Sequence, residues 1–116
     1  MWTADEASCQ RFKARTAAFR LGSIASNLNT LKRYAEAGQG STGVLIPQTL
    51  AYISWTIADV AAHDRALLDE LKDLLILWQT EWGLKHSSAP WQVMTATSAQ
   101  AWSERLLGLS GLLVRQ

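Results

Sequence analysis

Between residues 46 and 82 the apolar positions fall in steps of four and three: Ile46, Leu50, Ile53, Ile57, Val60, Leu67, Leu71, Leu74 and Trp78. Polar Asp64 occupies one position of the same series. This is the spacing of a helix that packs along one seam. It predicts one long helix over about 47–83, with Pro47 in the first turn, where its missing N–H is harmless, and Gly83 at the end. Tyr52–Ile57 is rich in β-formers, but no other stretch offers a partner strand and a lone strand leaves its backbone unsatisfied. The helical phase runs through it, so helix is the better reading. Thr56-Ile57-Ala58-Asp59 resembles a capping box. Together with the polar Asp64 it marks 56–63 as the place where the helix would break.

Upstream, Thr3-Ala4-Asp5-Glu6 has the form of a capping box opening a first helix over about 3–37, and its acids suit the helix dipole. Leu21, Ile24, Leu28, Leu31 and Ala35 give that helix a clear stripe. Phe12 and Phe19, seven apart, share a face roughly 140° around from it at 100° per residue. Either the helix bends near Gly22-Ser23, or its first half contacts something else. Residues 38–45 (GQGSTGVL) read as a flexible connection; a phosphate loop would need a lysine after the last glycine, and none follows. Downstream, 86–90 read as a loop and 90–94 as a short turn placing Trp91 on the core. Thr97-Ser98-Ala99-Gln100 reads as a capping box opening a last helix over about 97–110, with Trp102, Leu106, Leu109 and Leu113 as its stripe and Gly108 and Gly111 weakening its end. Leu74–Trp78 is apolar on every face and is expected to be buried all round.

The predicted fold is therefore all-α, with residues 1–116 as a single helical domain. The elements make a long antiparallel helical hairpin (about 3–37 and 47–83) plus a C-terminal helix (about 97–110). If the long helix breaks near 56–63, they make a four-helix bundle.

Composition narrows the function classes. The formal charge of +1 exerts no global pull towards nucleic acid or anionic lipid. One cysteine, Cys9, excludes an internal disulfide and fits a reducing cytoplasm. The N-terminus lacks the apolar core of a signal peptide, and no apolar run reaches the roughly 18 residues of a membrane span. Six tryptophans are many for 116 residues, and most should be core or interface. Neither histidine, His63 nor His86, stands in a Glu-x-x-His pair; Asp59 and His63 are two groups and not a site. Cys9 has no histidine near it in sequence, and no Gly-x-Ser-x-Gly elbow occurs. No catalytic, cofactor-binding or metal-binding residue is assigned. Residues 10–34 hold six bases (Arg11, Lys13, Arg15, Arg20, Lys32, Arg33) and no acid, while 59–81 hold six acids against two bases. A basic first helix beside an acidic second one accounts for both, without a ligand.

Arg20-Leu21-Gly22-Ser23-Ile24-Ala25-Ser26-Asn27-Leu28, Trp55-Thr56, Leu77-Trp78-Gln79, and Trp102-Ser103-Glu104-Arg105 with Ser110-Gly111-Leu112-Leu113 together resemble a group of small, uncharacterised all-helical proteins of cyanobacteria. The resemblance implies a bacterial source and carries no activity. Residues 1–19 and the Gly-rich connection fall outside it.

These readings point to a non-enzymatic, cytoplasmic interaction or oligomerisation module, a dimer of itself or a partner of another protein. Phe12, Phe19, Leu77, Trp78, Trp82 and Trp102 are the candidate interface residues. The alternative is a small nucleic-acid-associated regulator using the basic first helix, although neither nucleic acid nor membrane is the expected partner.

Overall fold

The computed structural model describes residues 2–110, and these are helical almost throughout, with no strand among them. Leu113, predicted to end the last stripe, lies outside the described residues, as does Gly111.

The first predicted helix is two. α1 spans Glu6–Lys13 and α2 spans Ala17–Glu36. Asp5, not Thr3, caps α1: its carboxylate accepts from the amide of Ser8 at 2.8 Å, and the Thr3 hydroxyl donates to that same carboxylate at 3.0 Å. The interruption lies at Ala14–Thr16, where the extended Thr16 accepts the amide of Phe19 at 3.1 Å and starts α2. Gly22 sits inside α2, which runs unbroken from Ala17 to Glu36. The Leu21–Ala35 stripe is buried as its spacing predicts.

The single helix expected over about 47–83 is also two, divided within 56–63, where the alternative reading put a break. α3 is Leu45–Thr56, a single 3₁₀ turn covers Ile57–Asp59, and α4 is Ala62–Lys85. The cause differs from the one expected. Thr56 caps nothing; its hydroxyl donates back to the carbonyl of Tyr52 at 2.7 Å. Val60 and Ala61 are extended, and α4 starts without a side-chain cap. Arg20, 5% exposed, reaches over from α2 and donates from Nη1 to the carbonyl of Trp55 (3.0 Å) and to Oδ2 of Asp59 (2.8 Å). One guanidinium thus fastens the end of α3 and the turn after it. The Arg20 hydrogen bond, and then its charge, hold the Asp59 carboxyl below the usual range.

The break re-phases the seam. In α4 the buried set is Leu68, Leu71, Leu75, Trp78 and Trp82, so Leu67 and Leu74 are only partly buried. Asp64 lies in the first turn of α4, not in a continuous seam. Its Oδ1 is buried and accepts no hydrogen bond, although Nδ1 of the exposed His63 is 3.0 Å away.

The last helix, α5, runs from Ala89 to Ser110, beginning eight residues before the predicted Thr97 box. Trp91 packs on the core as expected, but from inside this helix. Gly83 lies within α4, which continues two residues further.

Helices α2 to α5 share one core, with α2 packed mainly against α5 and α3. Small buried residues (Ala25 on α2; Ala96, Ala99 and Ser103 on α5) let those two backbones approach, and the Ser103 hydroxyl donates to the carbonyl of Ala25 at 2.9 Å. The α4 side is filled by large rings instead: Trp82 meets Trp78 and Trp91 edge-on, with centroids 6.4 and 5.0 Å apart. α1 packs on α3 through a separate aromatic group. Phe12 stacks on Tyr52 at 4.1 Å, with Trp55 at 5.9 Å, and Trp2 adds an edge to Tyr52. Burial in this group raises the Tyr52 phenol above its ordinary pKa.

The glycine-rich connection is fastened at several points. Gly38, at φ +64°, closes α2 in the left-handed conformation that glycine adopts cheaply. Trp82 Nε1 donates to the carbonyl of Gln39 at 2.7 Å, and His86 Nδ1 faces the carbonyl of Gly38 at 3.1 Å. Gln92 donates to the His86 carbonyl at 2.7 Å, which ties the start of α5 into the same knot.

Candidate interaction surface

The six candidate interface residues do not form one face. Phe12 (8% exposed), Trp78 (3%), Trp82 (3%) and Trp102 (7%) are covered by the chain itself. Arg105 lies over the Trp102 ring at 4.2 Å and shields it further. Phe19 and Leu77 are the two in the open, at 44% and 50%. A seven-residue spacing puts Phe12 and Phe19 on one face only if the helix is continuous, and the cap at Thr16 separates them.

Leu74–Trp78 was expected to be buried all round, and it is not. Leu75 and Trp78 face the core, but Ile76 is 45% exposed and Leu77 50%. With Leu84, 80% exposed, they lie on the side of α4 turned away from the core. The same outer side carries Asp69, Glu70 and Asp73 in its first half. This face of α4 is thus acidic at its start and apolar at its end, divided along its length rather than around it. Glu81, at the edge, is occupied internally: Lys85 donates to it at 2.7 Å and Trp91 Nε1 at 3.4 Å, and the Lys85 bond chiefly holds its carboxyl below the usual range.

A second surface lies on α2. Thr16, Ala18, Phe19, Gly22, Ser23 and Ser26 line an open groove of about 390 Å³, mostly apolar. The guanidinium of Arg15 lies 3.8 Å from the centre of the Phe19 ring and puts a positive charge at its mouth. Gly22 and Ser26 also line a more polar groove of about 380 Å³ between α2 and α5, with Asn29, Lys32 and Glu104.

The expected pairing of a basic first helix with an acidic second one is confined to Arg20–Asp59. The other ion pairs among the described residues are local, Lys32–Glu36 and Lys85–Glu81, and His63 lies beside Asp64. Arg11, Lys13 and Arg15 on one side, and Asp69, Glu70 and Asp73 on the other, are exposed and in no ion pair among the described residues. Among the described residues no three His, Cys, Asp or Glu side chains are grouped to hold a metal ion, and Cys9 is a free, half-buried thiol. No helix among them is long and apolar enough to cross a membrane.

The outer side of α4 was missed because Leu74–Trp78, five apolar residues in a row, reads as buried on every face, although helical spacing already sets Ile76 and Leu84 away from the Leu71, Leu74 and Trp78 seam. The Phe19 groove left a signal in Ala18, Gly22 and Ser26, which recur every four residues, but small residues at that spacing read equally as a core seam.

No family model, curated protein or solved structure matches this chain.

Proposed function

We propose that this chain is a non-catalytic protein-interaction module whose working surface is the outer side of α4. The observation that carries the reading is the exposure of Ile76, Leu77 and Leu84 on the side of one helix that its own core does not use. Scattered exposed leucines need no explanation, whereas a row of them beside a charged rim has the composition of a docking patch. The test is capture from the source cell with immobilised wild type and a Leu77→Glu/Leu84→Glu variant. Both positions are solvated, so circular dichroism and the thermal melt should be unchanged while every specifically retained chain, further copies of the protein included, is lost. Equal retention by the folded variant overturns the reading.

The exposed Arg11, Lys13 and Arg15 support a second reading, association of α1 with nucleic acid phosphates. Its signature is binding that falls steeply with salt. Absence of binding to single- and double-stranded DNA and RNA at low salt eliminates it.

A further inference from the structure

We infer that the partner of the α4 outer face is the Phe19 groove of a second copy of this chain; this rests on the reading of α4 just given and names its occupant. Two of the open surfaces complement each other in charge and in shape. The groove is apolar, floored by Gly22, Ser23 and Ser26, and carries Arg15 at its mouth. The α4 face is apolar, rises to Ile76 and Leu77, and carries Asp73 one turn earlier. Arg15 precedes the cap of α2, and its stacking on Phe19 sets its charge at the start of the groove, as Asp73 stands one turn before Leu77. Within the helices the steps are equal, so Phe19, Gly22 and Ser26 match Leu77, Thr80 and Leu84 position for position when the two helices run parallel. In that register opposite charges meet, Leu77 lies on Phe19, and Leu84 enters over Ser26. The small side chains at Gly22 and Ser26 leave room where the incoming helix presents Thr80 and Leu84.

The contact joins two different surfaces, so it is heterologous. After the first contact one copy still has its α4 face free and the other its groove, and assembly continues as a chain or closes as a ring. The ion pairs lie at the rim in water, so added salt should weaken association modestly and slow it.

A heterologous contact has a test that a symmetric dimer fails. Phe19→Glu destroys the groove and leaves α4 intact; Leu77→Glu does the reverse. Both positions are about half exposed, and circular dichroism with melting checks that each variant is folded. By light scattering and sedimentation on purified protein, the wild type should gain mass with concentration beyond a dimer, and each variant alone should stay a monomer. An equimolar mixture should form a dimer and nothing larger, because one good groove meets one good face. A wild type that remains monomeric at high concentration overturns the self-pairing; the α4 docking reading then stands or falls on the capture experiment alone. A wild type that associates while the mixture stays monomeric overturns the groove–face pairing in favour of a symmetric contact. Failure of Phe19→Glu to lower the mass, with Leu77→Glu lowering it, shows that α4 docks elsewhere and also overturns the pairing.

Discussion

Three threonines of this protein are completely enclosed, and they pose one question with two opposite answers. Thr49 and Thr56 are 0% exposed and Thr95 is 1%. The Thr49 hydroxyl donates to the carbonyl of Leu45 at 2.6 Å and accepts from Asn27 Nδ2 at 3.1 Å. The Thr56 hydroxyl donates to Tyr52 at 2.7 Å. The Thr95 hydroxyl is buried in α5 and has no hydrogen-bond partner. Valine has the same shape and nearly the same helix propensity, so Thr→Val isolates the hydroxyl. A buried polar group without a partner costs about 1–3 kcal/mol, whereas a made hydrogen bond contributes about 0.5–1.5 kcal/mol net. Thr95→Val should therefore stabilise by about 1–2 kcal/mol. Thr56→Val should destabilise by about 0.5–1 kcal/mol. Thr49→Val should cost about 1–2 kcal/mol, because it also takes one of two acceptors from the Asn27 amide, leaving Gln48. Urea unfolding followed by tryptophan fluorescence measures all three. At a typical slope, 1 kcal/mol moves the midpoint by roughly half a molar and the melting temperature by about 4 °C. A Thr95→Val variant that loses stability as Thr49→Val does would refute the reasoning, because it would mean that the Thr95 hydroxyl is satisfied in solution.

Asp59→Asn should destabilise more than the double change Arg20→Met/Asp59→Asn, because the single change strands a buried guanidinium whose Nε already lacks a partner; a double-mutant cycle in urea measures the coupling, and strict additivity would show that the clamp is inert. The sign of its pH dependence follows from the depressed Asp59 carboxyl: the contribution is complete above the ordinary carboxylate range and is lost as pH falls below it through the native value, so acid melts of wild type and Arg20→Met should converge there. Gly43 and Gly38 both sit at positive φ (+57° and +64°), but a Cβ at Gly43 meets nothing within 4 Å, while one at Gly38 would lie 2.7 Å from Nε2 of Gln92 and push it off the His86 carbonyl. Gly43→Ala should cost about 1 kcal/mol and Gly43→Asn less, and Gly38→Ala should cost more than either in the same melts.

How much of this was legible in the sequence depends on which residues carry each feature. The all-α class and the α2 stripe follow from spacing. Spacing alone carries one helix through 47–83, and only Thr56-Ile57-Ala58-Asp59 and the polar Asp64 pointed to the interruption between residues 56 and 63. The start of α5 was also written there: Ser88 ahead of Ala89-Pro90 is a cap followed by a first-turn proline, and its hydroxyl faces the amide of Trp91 at 3.5 Å. Reading Ser-Ser-Ala-Pro as a loop gave that signal to the wrong side of the boundary. The break at Thr16 was harder, since Thr-Ala-Ala-Phe lacks the reciprocal glutamate of a capping box. Arg20 gave no local hint, because its partners lie 35 and 39 positions away, and a lone arginine on a helix reads as solvated. The groove and the outer α4 face depend on where helices end up relative to one another, which one-dimensional periodicity does not encode.

The direct packing of α2 on α5 has a consequence for how the protein is made. The hydroxyl of Ser103 reaches a carbonyl 78 positions earlier in the chain, and the stripe of α2 has its main cover in a helix translated after α3 and α4. During synthesis α2 therefore emerges with its apolar side unclaimed and waits through the making of α3 and α4 before its lasting neighbour arrives. Contacts so distant along the chain also slow folding after release. The interval in which Ile24, Leu28 and Leu31 lack their cover is the period when a nascent chain is most exposed to mispairing with another, and it ends only once the second half of α5 is in place.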